Sequence, residues 1–483
     1  MINFGGLNPD GSPKAPVSLA SSTQLSFFLP TGMSPGASYI QAINPPFLPF
    51  TSSGTGPGGA FIAATCPAPS PTVTSLQPSS AIVGGPGFAL TINGTNFVPG
   101  AVAQWNGNAL TTTYVSSGQL EATIPASDVA TIGTSAISVA NAPPSGNISN
   151  SSTFFTGTTG GTGFATVMIP QESNDIVDDP AHQVIYLSVP GTATANPNTI
   201  AVINAVTAGI STSQFAGSNP DVLAISEDSS FLYAGIDGSA SVQRFTLPAL
   251  GRDISYSLGA SSFFGPYFAL DLQVAPGEPH TTAVTLALSG ESPSAEGGVV
   301  IFDDTKPRPI SAPGFGDAGG GLFDSLQWGS DATQLFAANN EDTGFDFYTL
   351  SVNSSGVTLS ADYPGTFSGF FKRIHFDRGT GIVYSDGGQA IDPATGLPVG
   401  NFSTAGIMVP DSTLNRAFFV TQTSSSSVIV IESFNLTEFS LIGSITLPSV
   451  YGIPLRVVRW GNNGLAFNTD DGQVWLVGGN FVH

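Results

Sequence analysis

The chain has 483 residues, and its 33 acidic and 11 basic residues give it a net charge of −22. Proteins that bind nucleic acid neutralise phosphates with clustered lysine and arginine, so this balance excludes nucleic acid as a partner. Only 9% of the residues are charged, yet no apolar run is long enough to span a membrane. The low charge and the many Ser, Thr and Asn residues favour an extracellular or cell-surface location.

The first residues, MINFGGLNPDG, contain neither the basic nor the apolar segment of a signal peptide, so we expect any secretion signal to lie outside this chain. The single cysteine, Cys66, lies in a proline-rich spacer. Two interpretations of it stay open, an inert linker thiol or a bridge to a second molecule. The 58 glycines and 37 prolines, with Val, Ile and Phe alternating among small polar residues, predict an all-β chain with many turns.

Two N-terminal segments share one pattern and predict two copies of a β-sandwich. Residues 1–66 are a partial copy, and residues 70–157 are a complete one. The partial copy has no counterpart of residues 71–101, which leaves sheet edges and a core face open. Two explanations stay open: the chain is the C-terminal piece of a longer protein, or a strand from another subunit completes the sandwich. The corresponding pairs are 1–6 with 102–107, 24–30 with 119–125, and 38–46 with 135–144.

The complete copy carries several recognisable pieces. They are LQP at 76–78, GGPG at 84–87, FALTINGTNF at 88–97, a Trp105-x-Gly107 strand end and the Ile-Pro step at 124–125. In these pieces the segment resembles an IPT/TIG domain, which implies an immunoglobulin-like β-sandwich.

Alternation within this segment predicts which side chains form its core. Phe88, Leu90 and Ile92 alternate with other residues, which indicates a strand with one buried face. Gly94 and Asn96 predict a turn with unusual backbone angles. We expect Trp105 to be a core aromatic rather than a platform for a ligand.

Residues 162–483 repeat one pattern seven times, and the pattern predicts a seven-bladed β-propeller. Each repeat is an apolar strand, a polar turn and a second apolar strand, at an average spacing of roughly 45–50 residues, which is the period of a four-stranded blade. The last repeat lacks an outer strand, and we expect residues 164–170 to supply it. The hairpins resemble those of the seven-bladed YVTN and quinoprotein-like repeat proteins. They span 175–189, 221–236, 268–288, 323–338, 371–385, 406–421 and 455–468.

The sequence contains no set of residues that predicts catalysis, a metal or a cofactor. The four histidines are far apart and lack neighbours at metal-ligand spacing. Nucleophile, phosphate-loop and dinucleotide motifs are missing. The acidic pairs at 178–179, 303–304, 341–342 and 470–471 are expected to be solvated carboxylates in turns. Lactonases and quinoprotein dehydrogenases share the propeller architecture, so an enzyme of that type stays a second alternative, which a bound metal or quinone would support.

These features favour a non-enzymatic structural or adhesive protein, with a repeating subunit of a surface filament or layer as one form of it. The partial sandwich would supply a head-to-tail contact between copies. Other surface proteins or glycans are the remaining partners that we expect. The residues assigned to that assembly segment are Met1, Phe4, Phe27, Tyr39, Phe50 and Cys66.

The first alternative is a surface module whose propeller binds a glycan or a peptide. Phe263, Phe264, Tyr267 and Tyr451 lie near the starts of blades and are candidates for an aromatic ligand surface. Aromatic residues at such positions are more often core between blades than a ligand surface, and both interpretations stay open at this point.

Overall fold

The computed structural model describes residues 70–482 apart from 143–146, 158–163, 205–208, 295–296, 315–320, 423–427, 448–449 and 461–463, and five strands before residue 70. Side chains are described from residue 70 onward. Within these residues the elements are β-strands and three short 3-10 helices, which confirms the all-β prediction. The helices are Ala126–Val129, Asp237–Ser239 and Asn480–Val482.

The N-terminal strands belong to a compact unit of their own. A three-stranded sheet has the order β1-β4-β5, and β2 pairs with β3 in a hairpin. Of the proposed assembly residues, Phe27 and Tyr39 lie in β3 and β4, whereas Met1, Phe4, Phe50 and Cys66 lie outside the described residues. The strands are β1 (Ile2–Asn3), β2 (Val17–Ser21), β3 (Gln24–Phe27), β4 (Ala37–Ala42) and β5 (Gly59–Ile62).

The second unit begins with a β-sandwich of two sheets, in the orders β11-β12-β8-β6 and β10-β9-β13-β14-β7. Its strands are β6 (Thr72–Gln77), β7 (Ser80–Ile82), β8 (Phe88–Thr95), β9 (Val102–Trp105), β10 (Asn108–Ala109), β11 (Thr111–Ser116), β12 (Gln119–Ile124), β13 (Gly133–Ala140) and β14 (Ser152–Gly157).

The core of the sandwich forms as its sequence predicts. Leu90 and Ile92 are fully buried in one cluster, and Trp105 lies in the same cluster with its ring centroid 5.2 Å from that of Phe154. Trp105 is therefore a core aromatic, as expected. Asn96 has a φ of 59°, a left-handed conformation that Asn tolerates better than most residues, so the unusual backbone angle predicted for it is confirmed. Gly94 instead lies within β8 and does not have a positive φ, so the prediction is wrong for that residue.

Seven sheets follow the sandwich within the described residues, and each is one blade of a propeller. Strand β15 (Phe164–Pro170) comes first in the chain, and the strands of the blades follow it in order.

Blade 1 has β16 (Asp175–Asp179), β17 (Val184–Val189), β18 (Thr199–Asn204) and β19 (Gly209–Phe215); blade 2 has β20 (Pro220–Ile225), β21 (Phe231–Ile236), β22 (Ser241–Thr246) and β23 (Gly251–Ser257). Blade 3 has β24 (Ala260–Ser261), β25 (Gly265–Ala275), β26 (Glu278–Leu288), β27 (Val299–Asp303) and β28 (Lys306–Pro307); blade 4 has β29 (Ser325–Trp328), β30 (Gln334–Ala338), β31 (Phe347–Asn353) and β32 (Gly356–Tyr363). Blade 5 has β33 (Ile374–Asp377), β34 (Ile382–Ser385), β35 (Gln389–Asp392) and β36 (Leu397–Asn401); blade 6 has β37 (Ile407–Asp411), β38 (Arg416–Gln422), β39 (Ile429–Asn435) and β40 (Leu441–Leu447); blade 7 has β41 (Pro454–Trp460), β42 (Gly464–Thr469) and β43 (Gln473–Gly479), with β15 as its fourth strand.

The two ends of the propeller are joined as the sequence predicts. Strand β15 pairs antiparallel with β43 along its whole length, from Phe164 opposite Gly479 to Pro170 opposite Gln473. The first strand of the domain thus completes the last blade, and the free sheet edge that β43 would otherwise present is covered.

Blades pack on both faces, so their second strands are buried almost throughout. All six residues of β42 are buried, and so are five of the six in β17. Clusters of buried side chains fill the spaces between neighbouring blades, for example Tyr186 of blade 1 with Leu232 and Phe245 of blade 2. Burial on both faces explains why the repeats read as continuous apolar runs rather than as alternating ones.

The antiparallel order of strands gives the propeller two distinct faces. The innermost strand of every blade begins on one face, which also carries the connections between second and third strands; we call this the entry face. The connections between first and second strands, and between third and fourth strands, lie on the other, which we call the opposite face. The distinction follows from strand direction alone and applies to all seven blades.

Candidate ligand-binding face

In the described part of the propeller, exposed aromatic side chains are confined to one face. Among the described residues, every aromatic side chain with a large exposed area lies in the last residue of an outer strand or in the segment that leads into the next blade. Both positions are on the entry face. The residues are Phe215, Phe263, Phe264, Phe370, Phe371 and Tyr451.

Three of the four aromatic residues singled out from the sequence are in this set. Phe263, at the tip of the β24–β25 hairpin, is 89% exposed, and Phe264 and Tyr451 are also exposed. Tyr267 is half-buried and packs against the apolar cluster between blades 2 and 3. Tyr267 therefore packs between blades, whereas the other three residues are exposed on the entry face.

The sandwich packs against the opposite face of the propeller. Phe155 in β14 is fully buried in the cluster between blades 7 and 1, and its ring lies edge-on to that of Trp460 with centroids 6.0 Å apart. Ser79 donates a hydrogen bond to Asn480 (2.8 Å), and Gln183 donates one to Ser151 (2.7 Å). Since Trp460 ends an innermost strand, this contact leaves the entry face uncovered by the sandwich.

A buried ion pair lies near the axis on the entry face. The Arg456 guanidinium at the start of blade 7 donates to both carboxylate oxygens of Asp175 in blade 1, at 2.8 and 2.6 Å. Burial lowers the pKa of Arg456, but Asp175, together with Asp271 and Asp386 from two other blades, raises it above its usual value. Arg456 therefore stays charged and links blade 7 to blade 1.

Carboxylates on the entry face also connect successive blades. One oxygen of Asp175 accepts a hydrogen bond from the Leu223 amide of blade 2 (2.8 Å), and Asp271 accepts one from the Leu326 amide of blade 4 (2.8 Å). Asp386 accepts one from Met408 of blade 6 (3.0 Å). These side chains have structural partners, so they are not free to bind a ligand.

A polar pocket of about 160 Å³ opens on the entry face between blades 3, 4 and 5. We call it the rim pocket. It combines carboxylates, an amide, a guanidinium and an exposed aromatic ring, which is a set that can orient a small polar ligand. Its lining residues are Leu270, Asp271, Asp324, Asn340, Glu341, Phe371 and Arg373.

Asp324 is the lining residue of this pocket that has a carboxylate oxygen without a hydrogen-bond partner in the described residues. The residue is only 6% exposed, and one of its carboxylate oxygens, Oδ2, accepts hydrogen bonds from the amides of Asn340 (2.6 Å) and Glu341 (2.9 Å). The other oxygen, Oδ1, is buried and has no hydrogen-bond partner in the described part of the chain. Burial raises the pKa of Asp324 to about 6, against the effect of the two amides.

The rim pocket was not predicted from the sequence, although a signal for it exists. Asp324 and Arg373 occupy the same place in their repeats as Asp175, Asp221 and Arg456, just before or at the start of an innermost strand. Aligning the repeat starts would have shown that charged residues recur there in an otherwise weakly charged chain.

One acidic pair differs from its prediction. Asp178 and Asp179 are the last two residues of β16 and are largely buried, so the expectation of solvated turn carboxylates is wrong for them. Burial, together with the charge of Asp179, raises the pKa of Asp178 to about 8, although Arg459 opposes the change. The pair was misassigned because the strand extends past its apolar part into these two acidic residues.

Larger pockets of the described residues, such as the one of about 520 Å³ beside Glu172, Asp470 and Asp471, contain no buried polar atom that lacks a partner. No cluster of three or more His, Cys, Asp or Glu side chains in the described part of the chain is arranged to hold a metal ion. His182 pairs with Asp179, and His375 pairs with Asp386, both at 2.8 Å. The described helices include none that is long and apolar enough to cross a membrane.

Comparison with known protein families identifies the sandwich. The model of the IPT/TIG domain family matches residues 71–156. No curated protein sequence matches the chain. Similar solved structures include Kuenenia stuttgartiensis hydrazine synthase (12% identity, 65% of this chain and 97% of that chain, TM-score 0.47) and the Cps50 (Swd1) β-propeller domain of Myceliophteria thermophila (11%, 63% and 96%, 0.48). The WD40 β-propeller domain of Doa1 is another (10%, 64% and 92%, 0.46).

The second unit therefore consists of two domains. Its first part has the two sheets and the aromatic core of an immunoglobulin-like sandwich, and its second part has seven sheets closed by a strand from the start of the domain. The chain therefore contains an IPT/TIG domain at residues 71–156, followed by a β-propeller of seven blades.

Proposed function

We propose that this chain is a non-enzymatic, extracellular adhesive protein whose propeller binds a surface glycan or peptide through its entry face. The observation that carries the proposal is the segregation of exposed aromatic side chains. All six of them lie on the entry face, and the IPT/TIG domain packs on the other. Exposed aromatic groups next to polar ones favour recognition, because their faces and edges contact a ligand at low cost in side-chain entropy.

The hairpin at the start of blade 3 extends this surface outward. Strand β25 begins at Gly265, six residues before the Asp271 carboxylate that faces the axis, and β24 pairs with its first residues. Phe263 and Phe264 at the tip contact each other, with ring centroids 6.5 Å apart. Two adjacent apolar rings on a projecting hairpin form a contact point that a partner can reach.

Assembly into a filament or layer stays a prediction beside this proposal. It depends on the partial sandwich, and four of the six residues assigned to it lie outside the described residues. Removing residues 1–66 tests it directly, since polymers that persist in the shortened chain would contradict a joint in that segment.

An array of glycans and peptides probed with the full chain tests the proposed function. We expect at least one class of ligand to be retained, and we expect the variant Phe263→Ser/Phe264→Ser/Phe371→Ser to lose it. The matched control is Leu397→Ser/Val399→Ser/Leu441→Ser, which removes three exposed apolar side chains from outer strands. Equal loss in both variants, or retention in both, would contradict recognition by the entry face.

A further inference from the structure

The rim pocket presents an acceptor and a donor that no other described group uses. Oδ1 of Asp324 is a buried acceptor without a partner in the described residues, and Asp324 is one of the residues that line the pocket. Arg373 lines the same pocket, and its guanidinium has no hydrogen-bond or ion-pair partner among the described residues, although its charge acts against the raised pKa of Asp221. The backbone amide of Arg373 donates to Asp386 (3.1 Å). A buried polar atom without a partner is costly, so this pair is suited to a ligand that both donates and accepts.

An aromatic ring is held at the edge of the rim pocket by its backbone. Phe371 has a φ of 57°, a conformation that is strained for a bulky residue, and its side chain is 74% exposed. Its amide donates to the Asn340 carbonyl (3.0 Å), and the Asn340 side chain donates to the Lys372 carbonyl (2.8 Å). The ring is therefore displayed in a defined position instead of being packed away.

Charge and size limit what the pocket can take. Asp271, Asp324 and Glu341 outnumber the single cation Arg373, so an anionic ligand is disfavoured. Asp271 and Glu341 already accept hydrogen bonds from the Leu326 and Ser294 amides, so a cation would have Asp324 as its partner, beside the like charge of Arg373. A volume of about 160 Å³ corresponds to about five water molecules, at about 30 Å³ each, which suits part of one small ring rather than an extended chain.

We propose that the rim pocket is a subsite for a neutral pyranose, which places two neighbouring hydroxyl groups between Asp324 and Arg373 and its apolar face against Phe371. One hydroxyl donates to Oδ1 of Asp324, and the other accepts from the guanidinium. Hydrogen bonds to charged groups are stronger than those between neutral ones, and water is displaced from an aromatic face. This inference rests on the proposed function and names the class of ligand for one part of the entry face.

The test uses the full chain and three free probes, the methyl pyranosides of mannose, galactose and glucose, in titration calorimetry and ligand-observed NMR. We expect at least one glycoside to bind at millimolar concentration. Asp324→Asn is expected to weaken it about tenfold, because the amide keeps an oxygen for the Asn340 and Glu341 amides but turns Oδ1 into a donor. Arg373→Gln and Phe371→Ala are expected to weaken it severalfold.

Matched controls lie on the opposite face of the same blades. Asp331→Asn changes an exposed carboxylate of blade 4 that is bonded to Thr333, and Arg378→Gln changes an exposed arginine of blade 5 that is paired with Glu227. Both are expected to bind the glycoside as the unmodified chain does. The melting temperature of each variant shows whether it is folded, and a folded Asp324→Asn with undiminished binding would overturn the proposal.

Two further outcomes would also overturn it. In the first, no glycoside binds to the folded chain. In the second, a cationic probe, Nα-acetyl-lysine methylamide, binds to the rim pocket and the sugars do not. The array separates this failure from failure of the proposed function. If the chain is retained on the array through Phe263 and Phe264 while free glycosides do not bind, the pyranose subsite is refuted. Recognition by the entry face is then still supported.

Discussion

The two faces of the propeller use their carboxylates in different ways. On the opposite face, side chains in the tight turns bond to amides of the same turn, as in Asp331 to Thr333 (2.8 Å) and Asp377 to Thr380 (2.7 Å). On the entry face, carboxylates bond across blades, and Asp237 and Asp324 each keep a buried oxygen without a partner in the described residues. Bonds across blades occur on the opposite face as well, where Asp377 also accepts from Ser412 of blade 6 (2.9 Å) and Asp411 pairs with Arg459 of blade 7 (2.9 Å). Asp178 at that end of β16 likewise keeps a buried oxygen without a partner in the described residues. The two faces therefore differ in the local bonding of the tight turns, which the entry face lacks at Asp175, Asp271 and Asp386.

The aromatic side chains show the same division. Phe154 and Phe155 are adjacent in β14, but Phe154 belongs to the core of the IPT/TIG domain and Phe155 to the core of the propeller. Phe155 is thus buried in a domain contact on the opposite face, whereas the six exposed aromatic side chains of the described residues lie on the entry face. The contrast concerns aromatic side chains, since exposed aliphatic ones such as Leu397 and Leu441 begin fourth strands near the opposite face.

Removing the contact on the opposite face should have the largest effect. Phe155→Ala is expected to lower the free energy of unfolding by about 3–5 kcal/mol, because a fully buried ring is lost and a cavity remains beside Trp460. Chemical denaturation measures the loss. Hydrogen exchange then separates it from Phe154→Ala, which should expose amides of the IPT/TIG domain alone, whereas Phe155→Ala should expose amides of blades 7 and 1 as well.

Breaking the ion pair at the axis comes next. Arg456→Met should destabilise the propeller by about 3 kcal/mol, since Asp175 would be left buried without its cation. Denaturant unfolding of this variant and of Arg456→Met/Asp175→Asn measures it. The double variant should recover part of the loss; if it is as unstable as the single one, the cost does not arise from the uncompensated charge.

The buried carboxylate at the end of β16 should give a smaller, pH-dependent effect. A carboxyl group with a raised pKa binds its proton more tightly in the folded chain than in the unfolded one. The stability that this proton contributes is therefore lost as the pH rises through the pKa of Asp178 in the folded chain, about 8. Asp178→Asn should therefore gain about 1–2 kcal/mol over the unmodified chain between pH 5 and pH 8, allowing for partial exposure. Thermal unfolding across that range measures the difference, and a gain that is independent of pH would contradict it.

The exposed aromatic residues should matter least for folding. Phe263→Ser/Phe264→Ser is expected to change the free energy of unfolding by less than about 0.5 kcal/mol, because both rings contact mainly each other and solvent. Denaturant unfolding checks this value. A loss as large as that of Phe155→Ala would mean that the hairpin rings are structural, and the contrast between the faces would then disappear.

Much of the architecture was predictable because it is periodic. The repeats gave the blade count, and the unfinished last repeat pointed to β15 as its closing strand. Alternation in β8 identified the core of the IPT/TIG domain, including Leu90 and Ile92. Such patterns report burial that is set by neighbours along the strand.

The candidate site was less predictable because it depends on contacts across blades. Asp324 and Arg373 are 49 residues apart and meet only when blades 4 and 5 are packed side by side. The orientation of Phe155 is another case, since its neighbour Phe154 is equally apolar and only the docking of two domains decides which ring faces which core. Position within a repeat is visible in a sequence, whereas a partner in the next blade is not.

The most direct test of the central claim is hydrogen-exchange mass spectrometry of the full chain with and without a ligand retained on the array. Recognition by the entry face predicts protection in residues 260–267, 366–373 and 450–454, with little change elsewhere in the propeller. Protection confined to the turns of the opposite face, at residues 226–231, 329–334 and 411–416, would contradict it.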